Sequence, residues 1–302
     1  MRRRRLVWIV VMVSGLVGLG GCGGQGSQGA GSDDRERLQE QARQALARYD
    51  QALLDAGGPP RFTPVGELTG QLGDWEMTNG DNKAALMSGR VIAATALPAA
   101  PQPNGDVVWA AGTTRAFPLI SAEEALRQLV AAGVGECGGC APLQVTGARL
   151  STVEMNTTRG PATVPAWEFT LTGTTVRITR VAVAESATVR VTPPSWDPYH
   201  PPAGLAIESA TTNSAGRRLT VTFTGSPGPA SQPCGADYRA EAVESANAVV
   251  VIVVEERHAG GEGACPAIGA IRTATVDLAQ PLADRAVLEV QQGLPVPVTI
   301  TP

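Results

Sequence analysis

Two cysteines separated by two glycines are the residues of this 302-residue chain best spaced to do chemistry. They lie in Gly135-Glu136-Cys137-Gly138-Gly139-Cys140-Ala141-Pro142. Such a pair can cycle between dithiol and disulfide, supply half of a zinc site, or close a loop. A redox dithiol needs a lowered thiol pKa, usually set by a helix N-terminus that follows the motif. Here Ala141-Pro142-Leu143-Gln144-Val145-Thr146 follows and reads as a strand. A helix precedes the motif, so the nearest dipole end is negative and opposes a thiolate. No second cysteine pair has the spacing of a zinc knuckle. Staple and redox pair both stay open at this point.

Other chemistry is harder to place. The chain lacks Gly-x-Ser-x-Gly, Ser-x-x-Lys, His-Glu-x-x-His and a Walker loop. His200, in Trp196-Asp197-Pro198-Tyr199-His200, reads as exposed linker, and His258, after Glu255-Glu256-Arg257, as a solvated turn. Glu123/Glu124 and Glu255/Glu256 are adjacent in sequence, so their side chains diverge and do not cooperate in acid–base work. No metal site and no cofactor is expected. Trp109 and Trp167 fall inside strand-like runs and are expected in the core. Trp75 and Trp196 fall in turn-rich segments and are the candidates for exposed ligand contacts.

The chain's first residues address its location. Arg2 to Arg5 are followed by the apolar run Leu6–Leu19 and by Gly20-Gly21-Cys22. A basic start, an apolar core of fourteen residues and a small-residue exit read as an export signal over residues 1–21, the core being short for a spanning helix, which needs about 20 residues. Leu19-Gly20-Gly21-Cys22 resembles the lipobox of bacterial lipoproteins, with Gly20 where that family more often has Ala, Ser or Thr. The resemblance implies cleavage before Cys22, lipid attachment to Cys22, and residence on the outer face of the cytoplasmic membrane. Sec and twin-arginine export are not distinguished by it. Loss of residues 1–21 would leave 20 basic against 28 acidic residues. Such an acidic chain is a poor nucleic-acid binder and would touch membranes through its acyl anchor. Lys83 is the only lysine against 23 arginines, and Ala, Gly, Pro and Val are abundant. In this usage the chain resembles actinobacterial lipoproteins of unknown function.

With Cys22 lipidated, four cysteines remain, and an exported setting favours disulfides. The economical pairing is Cys137 with Cys140 and Cys234 with Cys265. In the chain-entropy model the longer loop contributes about 3.7 kcal/mol and the shorter about 1.9 kcal/mol.

The elements that position these residues are legible in outline. Residues 22–32 form a Gly/Ser tether of roughly 16–19 Å span. Residues 33–56 are rich in helix formers, and Leu38, Ala42, Leu46, Tyr49 and Leu53 recur as one face of a stalk helix. Residues 61–195 read as an α+β domain, one helix against an antiparallel sheet. Its strands are expected at Ala84–Leu86, Val91–Ala96, Val107–Ala111, Arg115–Leu119, Leu143–Val153, Thr163–Leu171 and Thr175–Val183. Asn79–Asn82, Asn104–Asp106 and Asn156–Pro161 read as turns. Ser121 with Glu124 forms a capping box that opens a helix stopped at Gly133, with Ala125, Leu126, Leu129 and Val130 inward. This outline is distantly similar to exported modules of the PepSY type. The proline-rich residues 196–204 are a stiff linker. Residues 205–302 read as an all-β sandwich of about seven strands, from Leu205–Ser209 to Val296–Ile300, with Val249–Val254 as its central strand. The chain is expected to be mainly β.

The functional expectation is a lipid-anchored extracytoplasmic binding or scaffolding protein without catalytic activity, with an envelope protein or cell-wall glycan as partner. The alternatives are a thiol–disulfide oxidoreductase using Cys137 and Cys140, and a PepSY-like modulator of an envelope protease or sensor.

Overall fold

Val249-Val250-Val251-Ile252-Val253-Val254 has no polar face, and the surrounding architecture covers it on both sides. The computed structural model describes residues 28–197, 199, 202–213, 216–260 and 264–301. Cys22, the export signal and His200 lie outside these residues. In chain order the first half comprises α1 (Gln28–Asp55), β1 (Pro64–Val65), β2 (Thr69–Leu72), α2 (Gly80–Met87), β3 (Val91–Ala93), β4 (Asn104–Trp109), β5 (Thr114–Pro118), α3 (Ala122–Ala131), β6 (Leu143–Thr157), β7 (Gly160–Leu171) and β8 (Arg177–Val181). The second half comprises β9 (Ser209–Asn213), β10 (Arg218–Gly225), β11 (Ala236–Glu244), β12 (Ala248–Arg257), β13 (Ala270–Asp277), β14 (Ala286–Glu289) and β15 (Val298–Thr301). The protein is mainly β, with mostly antiparallel pairing.

The first eight strands form one sheet whose spine is the β6–β7 hairpin. A bulge between Val145 and Gly147 shifts the side-chain parity of β6. Leu143 and Val145 therefore share a face with Ala148 and Leu150, and with Trp167, Phe169 and Leu171 of β7. α3 closes that face with Ala122, Ala125, Leu126 and Leu129. Towards the hairpin tip the core passes to the opposite face, where Val153, Met155, Ala162 and Val164 meet Phe62, Val107, Trp109 and Phe117. Trp109 and Trp167 are buried as expected, with indole N–H groups donating to Thr157 Oγ1 and the Ile120 carbonyl, each at 2.9 Å.

Ser121 caps α3, its hydroxyl accepting from the Glu124 N–H at 3.2 Å. The reciprocal half of the capping box does not form, because the Glu124 carboxylate turns to Arg127 and Gln128. Ala84–Leu86, expected as a strand, lies in α2, and Asn79–Asn82 leads into that helix instead of turning. Alanine and leucine favour helix, and Asp81 sits in the favourable first turn. Asn104–Asp106, expected as a turn, opens β4. Gly105 there lies under Leu119 and Pro165, so close that a Cβ would approach their side chains to 2.9–3.0 Å.

The last seven strands form a four-stranded sheet, β13-β10-β9-β15, and a three-stranded sheet, β11-β12-β14. The first of them runs Ser209–Asn213, four residues beyond the expected start. Val249, Val251 and Val253, with Val287 of β14, face Leu219, Val221 and Phe223 of the other sheet. Ala248, Val250 and Ile252 face α1, where Ala42, Ala45, Leu46, Tyr49 and Ala52 complete a separate core with Leu288 and Val290. α1 thus forms a third layer over the C-terminal strands. It also begins at Gln28, inside the expected tether, since a packed helix extends at one hydrogen bond per added residue.

Candidate functional site

The Cys137–Cys140 loop lies between the end of α3 and the start of β6, in the order expected from the sequence. The two cysteines are bonded, with Cα atoms 5.7 Å apart. Cys140 is buried against the α3-side core, while Cys137 is half-buried and Gly138 and Gly139 border open space. Arg90 Nη1 donates to the Cys137 carbonyl at 3.3 Å. The ends of α2 and α3 meet here backbone to backbone, since a Cβ on Gly133 would come within 2.3 Å of the Gly89 nitrogen. Val134 N–H donates to the Met87 carbonyl at 2.7 Å, and both side chains are exposed.

Cys234 and Cys265 are bonded at a Cα separation of 5.5 Å and line a cleft of about 410 Å³ with Ser226, Glu255 and His258. Its polar groups support one another. Tyr238 Oη accepts from Ser226 N–H at 2.6 Å and donates to Glu255 at 3.1 Å, under the Arg272 guanidinium. His258, read from sequence as solvated, holds the Ala230 carbonyl through Nδ1 at 2.7 Å.

Trp75 is half-buried against the α3-side core, and its indole N–H donates to Gln71 Oε1 at 2.6 Å. Trp196 is 58% exposed and its neighbour Tyr199 88%. Of the sequence-stated candidates, the α3-side core brings together Cys137, Cys140 and Trp75, and does not include Trp196. Among the described residues no group of three His, Cys, Asp or Glu could hold a metal ion, and no helix is long and apolar enough to cross a membrane.

Several acids are engaged in holding the fold. Glu76 accepts from Thr175 N–H and Oγ1, each at 3.1 Å, and from Thr174 Oγ1 at 2.7 Å. These bonds, the Thr175 backbone bond first, hold its carboxyl at about 2. Glu168 is buried in β7 between Arg149 at 2.5 Å and Arg177 at 3.4 Å. Arg180, on the opposite face of the sheet, is buried with Gln128 and Thr69 as partners, and burial lowers its pKa.

A further cleft, which sequence reasoning did not single out, lies where α1, the β6–β7 tip and the β14 approach meet. Its volume is about 390 Å³, and Arg61, Arg115, Arg159 and Arg285 line it with Asn247 and Asp284. Each arginine is set by a local device. Arg61 follows the end of α1, and its Nε donates to the Gly57 carbonyl at 2.9 Å. Arg115 projects from β5, a strand paired only with β4. Arg159 occupies the hairpin tip, which the buried Thr157 hydroxyl fixes by accepting from Arg159 N–H at 3.1 Å and donating to the Gly160 carbonyl at 2.7 Å. The Arg159 guanidinium lies 4.9 Å from the Trp109 ring centre, and its Nε is 3.3 Å from Asp284 Oδ1. Arg285 is engaged by Glu244 at 2.7 Å and by the Gln280 and Pro281 carbonyls. The one available sequence signal was Arg159 inside the recognised Asn156–Pro161 turn. Its companions lie 44 to 126 positions away, beyond the reach of spacing arguments.

Comparison with protein-family models, curated proteins and solved structures finds no match to this chain.

Proposed function

We propose that this chain is a lipid-anchored extracytoplasmic binding or scaffolding protein, held on the outer face of the cytoplasmic membrane through Cys22, and that the arginine-lined junction cleft is its binding surface. Residues 61–195 act as an α+β unit and residues 205–302 as a sandwich, with 196–204 between them and α1 laid along the sandwich. The carrying observation is the convergence of Arg61, Arg115 and Arg159, from three separate segments, on one open cleft in an acidic chain. Its volume falls in the range of about 300–1,000 Å³ usual for small-molecule sites. The acids Glu76, Glu168 and Glu244 are committed to structural partners, which supports binding over acid–base catalysis.

The test uses the full-length chain in its own membranes with a photo-crosslinker at Asn247 or, as control, at the exposed Glu123 of α3. A discrete adduct at position 247 alone supports the reading. No adduct, or equal yields at both positions, overturns it. A Cys22→Ser substitution is expected to abolish lipid attachment, read by mass spectrometry of the N-terminal peptide.

One observation favours a second reading, thiol–disulfide exchange at the Cys137–Cys140 pair. Cys137 is only half-buried while Cys140 is buried, the order of exposure of an attacked sulfur and a resolving sulfur. A disulfide-reductase assay that loses turnover in Cys137→Ser would support it.

A further inference from the structure

The junction cleft is chemically asymmetric. Glu244 takes up the charge of Arg285. That leaves Arg61, Arg115 and Arg159 facing one carboxylate of the lining, Asp284, a positive excess of two. Asp50, outside the lining, accepts from Asn247 Nδ2 at 2.9 Å. The Arg115 guanidinium makes no ion pair or hydrogen bond among the described residues. The Arg159 guanidinium lies over the Trp109 ring, a contact that restrains it while its N–H edge can meet an oxyanion. The Asp284 carboxylate already touches that edge at 3.3 Å and is 79% exposed, so an incoming anion displaces it at little cost. Asn247, Thr63 and Thr158 add neutral polar groups to the same wall.

From this arrangement we propose that the cleft binds a doubly charged phosphate ester. Two excess positive charges match a phosphate monoester better than a single carboxylate, and guanidinium forks match its oxygens in geometry. The rest of the wall is mixed, with Thr63, Thr158 and Asn247 able to meet hydroxyls and Leu53, Pro59, Ala246 and Ala283 the ester's carbon skeleton. The inference rests on the reading of this cleft as the binding surface. The phosphate could be carried by a soluble ester or by a lipid headgroup, and the chemistry recognised is the same.

The experiment titrates the full-length chain in non-ionic detergent, by calorimetry, with glycerol 3-phosphate, with short-chain phosphatidic acid, and with acetate as a singly charged control. Saturable binding of glycerol 3-phosphate is expected, weakened tenfold or more by Arg115→Gln or Arg159→Ala and tightened several-fold by Asp284→Asn. Arg115 is exposed on an edge strand, so Arg115→Gln reads binding without loss of the fold. Binding of phosphatidic acid alone, with the same dependence on Arg115, also supports the proposal and assigns the phosphate to a lipid. No saturation by either ester up to about 10 mM, saturation that Arg115→Gln leaves unchanged, or equal affinity for acetate overturns it. If the esters fail while the Asn247 adduct persists, the ligand class is wrong and the binding surface stands. If both fail, both readings fall.

Discussion

Val249 and Val250 are adjacent in β12 and fully buried, yet they belong to different cores, Val249 between the two C-terminal sheets and Val250 beneath α1. A strand with two apolar faces requires a layer on each. The N-terminal helix supplies the second layer, across nearly two hundred residues of sequence. Ala42, Ala45 and Ala52 keep the approach close, and a Cβ on Gly293 would already come within 2.7 Å of Ala45 Cβ.

Arginine at position 45 must therefore push α1 off the sheet or bury an unpaired charge. Ala45→Arg is expected to destabilise the chain by about 3 kcal/mol or more, with exposed apolar surface reported by dye binding. Ala47→Arg, on the exposed side of the same helix, is expected to shift stability by no more than about 0.5 kcal/mol. Urea denaturation of both variants checks the difference.

The apolar period of α1 was readable in its sequence, but its partner was not. The same pattern fits a stalk helix as well as the outer layer of a sandwich, because periodicity records that a face is buried and not what buries it. The pairing of β6 with β7 was legible for the opposite reason. Contacts there are local, and Thr157 to Gly160 close the hairpin within four residues. α2 was missed because Asn79-Gly80-Asp81-Asn82 has the composition of a turn, while the helix-favouring Ala84-Ala85-Leu86-Met87 comes after it. Both disulfide pairs were legible once export was inferred. The arginine cleft was not, since Arg61, Arg115 and Arg159 have unremarkable neighbours and meet only in the fold.

The Glu76 carboxylate ties the Thr174-Thr175 turn to the segment before α2, and its pKa is depressed to about 2. In the unfolded chain a glutamate titrates near about 4.3. A depressed folded pKa gives stability that is present above the unfolded value and lost as pH falls from about 4.3 towards 2. Glu76→Gln is expected to flatten that part of the acid-unfolding curve and leave neutral-pH folding intact. Carboxyl-carbon titration of the wild type by NMR would show the group still ionised near pH 3.

Removing the Cys234–Cys265 bond, which spans a sequence separation of 31, is expected to cost about 3–4 kcal/mol. Removing Cys137–Cys140, with a separation of 3, is expected to cost about 2 kcal/mol. Paired Cys→Ser variants compared by thermal and urea unfolding give the order. The reverse order would show that the short loop is held by more than ring closure.

Glu168 is buried in mid-strand and depends on Arg149 and Arg177 from the strands on either side. Replacing both arginines with alanine leaves an uncompensated carboxylate. The expected loss lies at the lower end of about 3–5 kcal/mol, because both guanidiniums are partly solvated. Adding Glu168→Gln to the double variant is expected to recover part of that loss, as chemical denaturation would show.

Binding at the junction cleft fixes where the chain meets its partner. Hydrogen exchange of the detergent-solubilised full-length chain, with and without solubilised material from its own envelope, reads this by segment. Protection is predicted at the junction cleft, over residues 59–63, 113–116, 157–160, 246–247 and 283–285, and its loss is predicted in Arg115→Gln. Protection confined to residues 134–142 around Cys137, or no change in any segment, would contradict it.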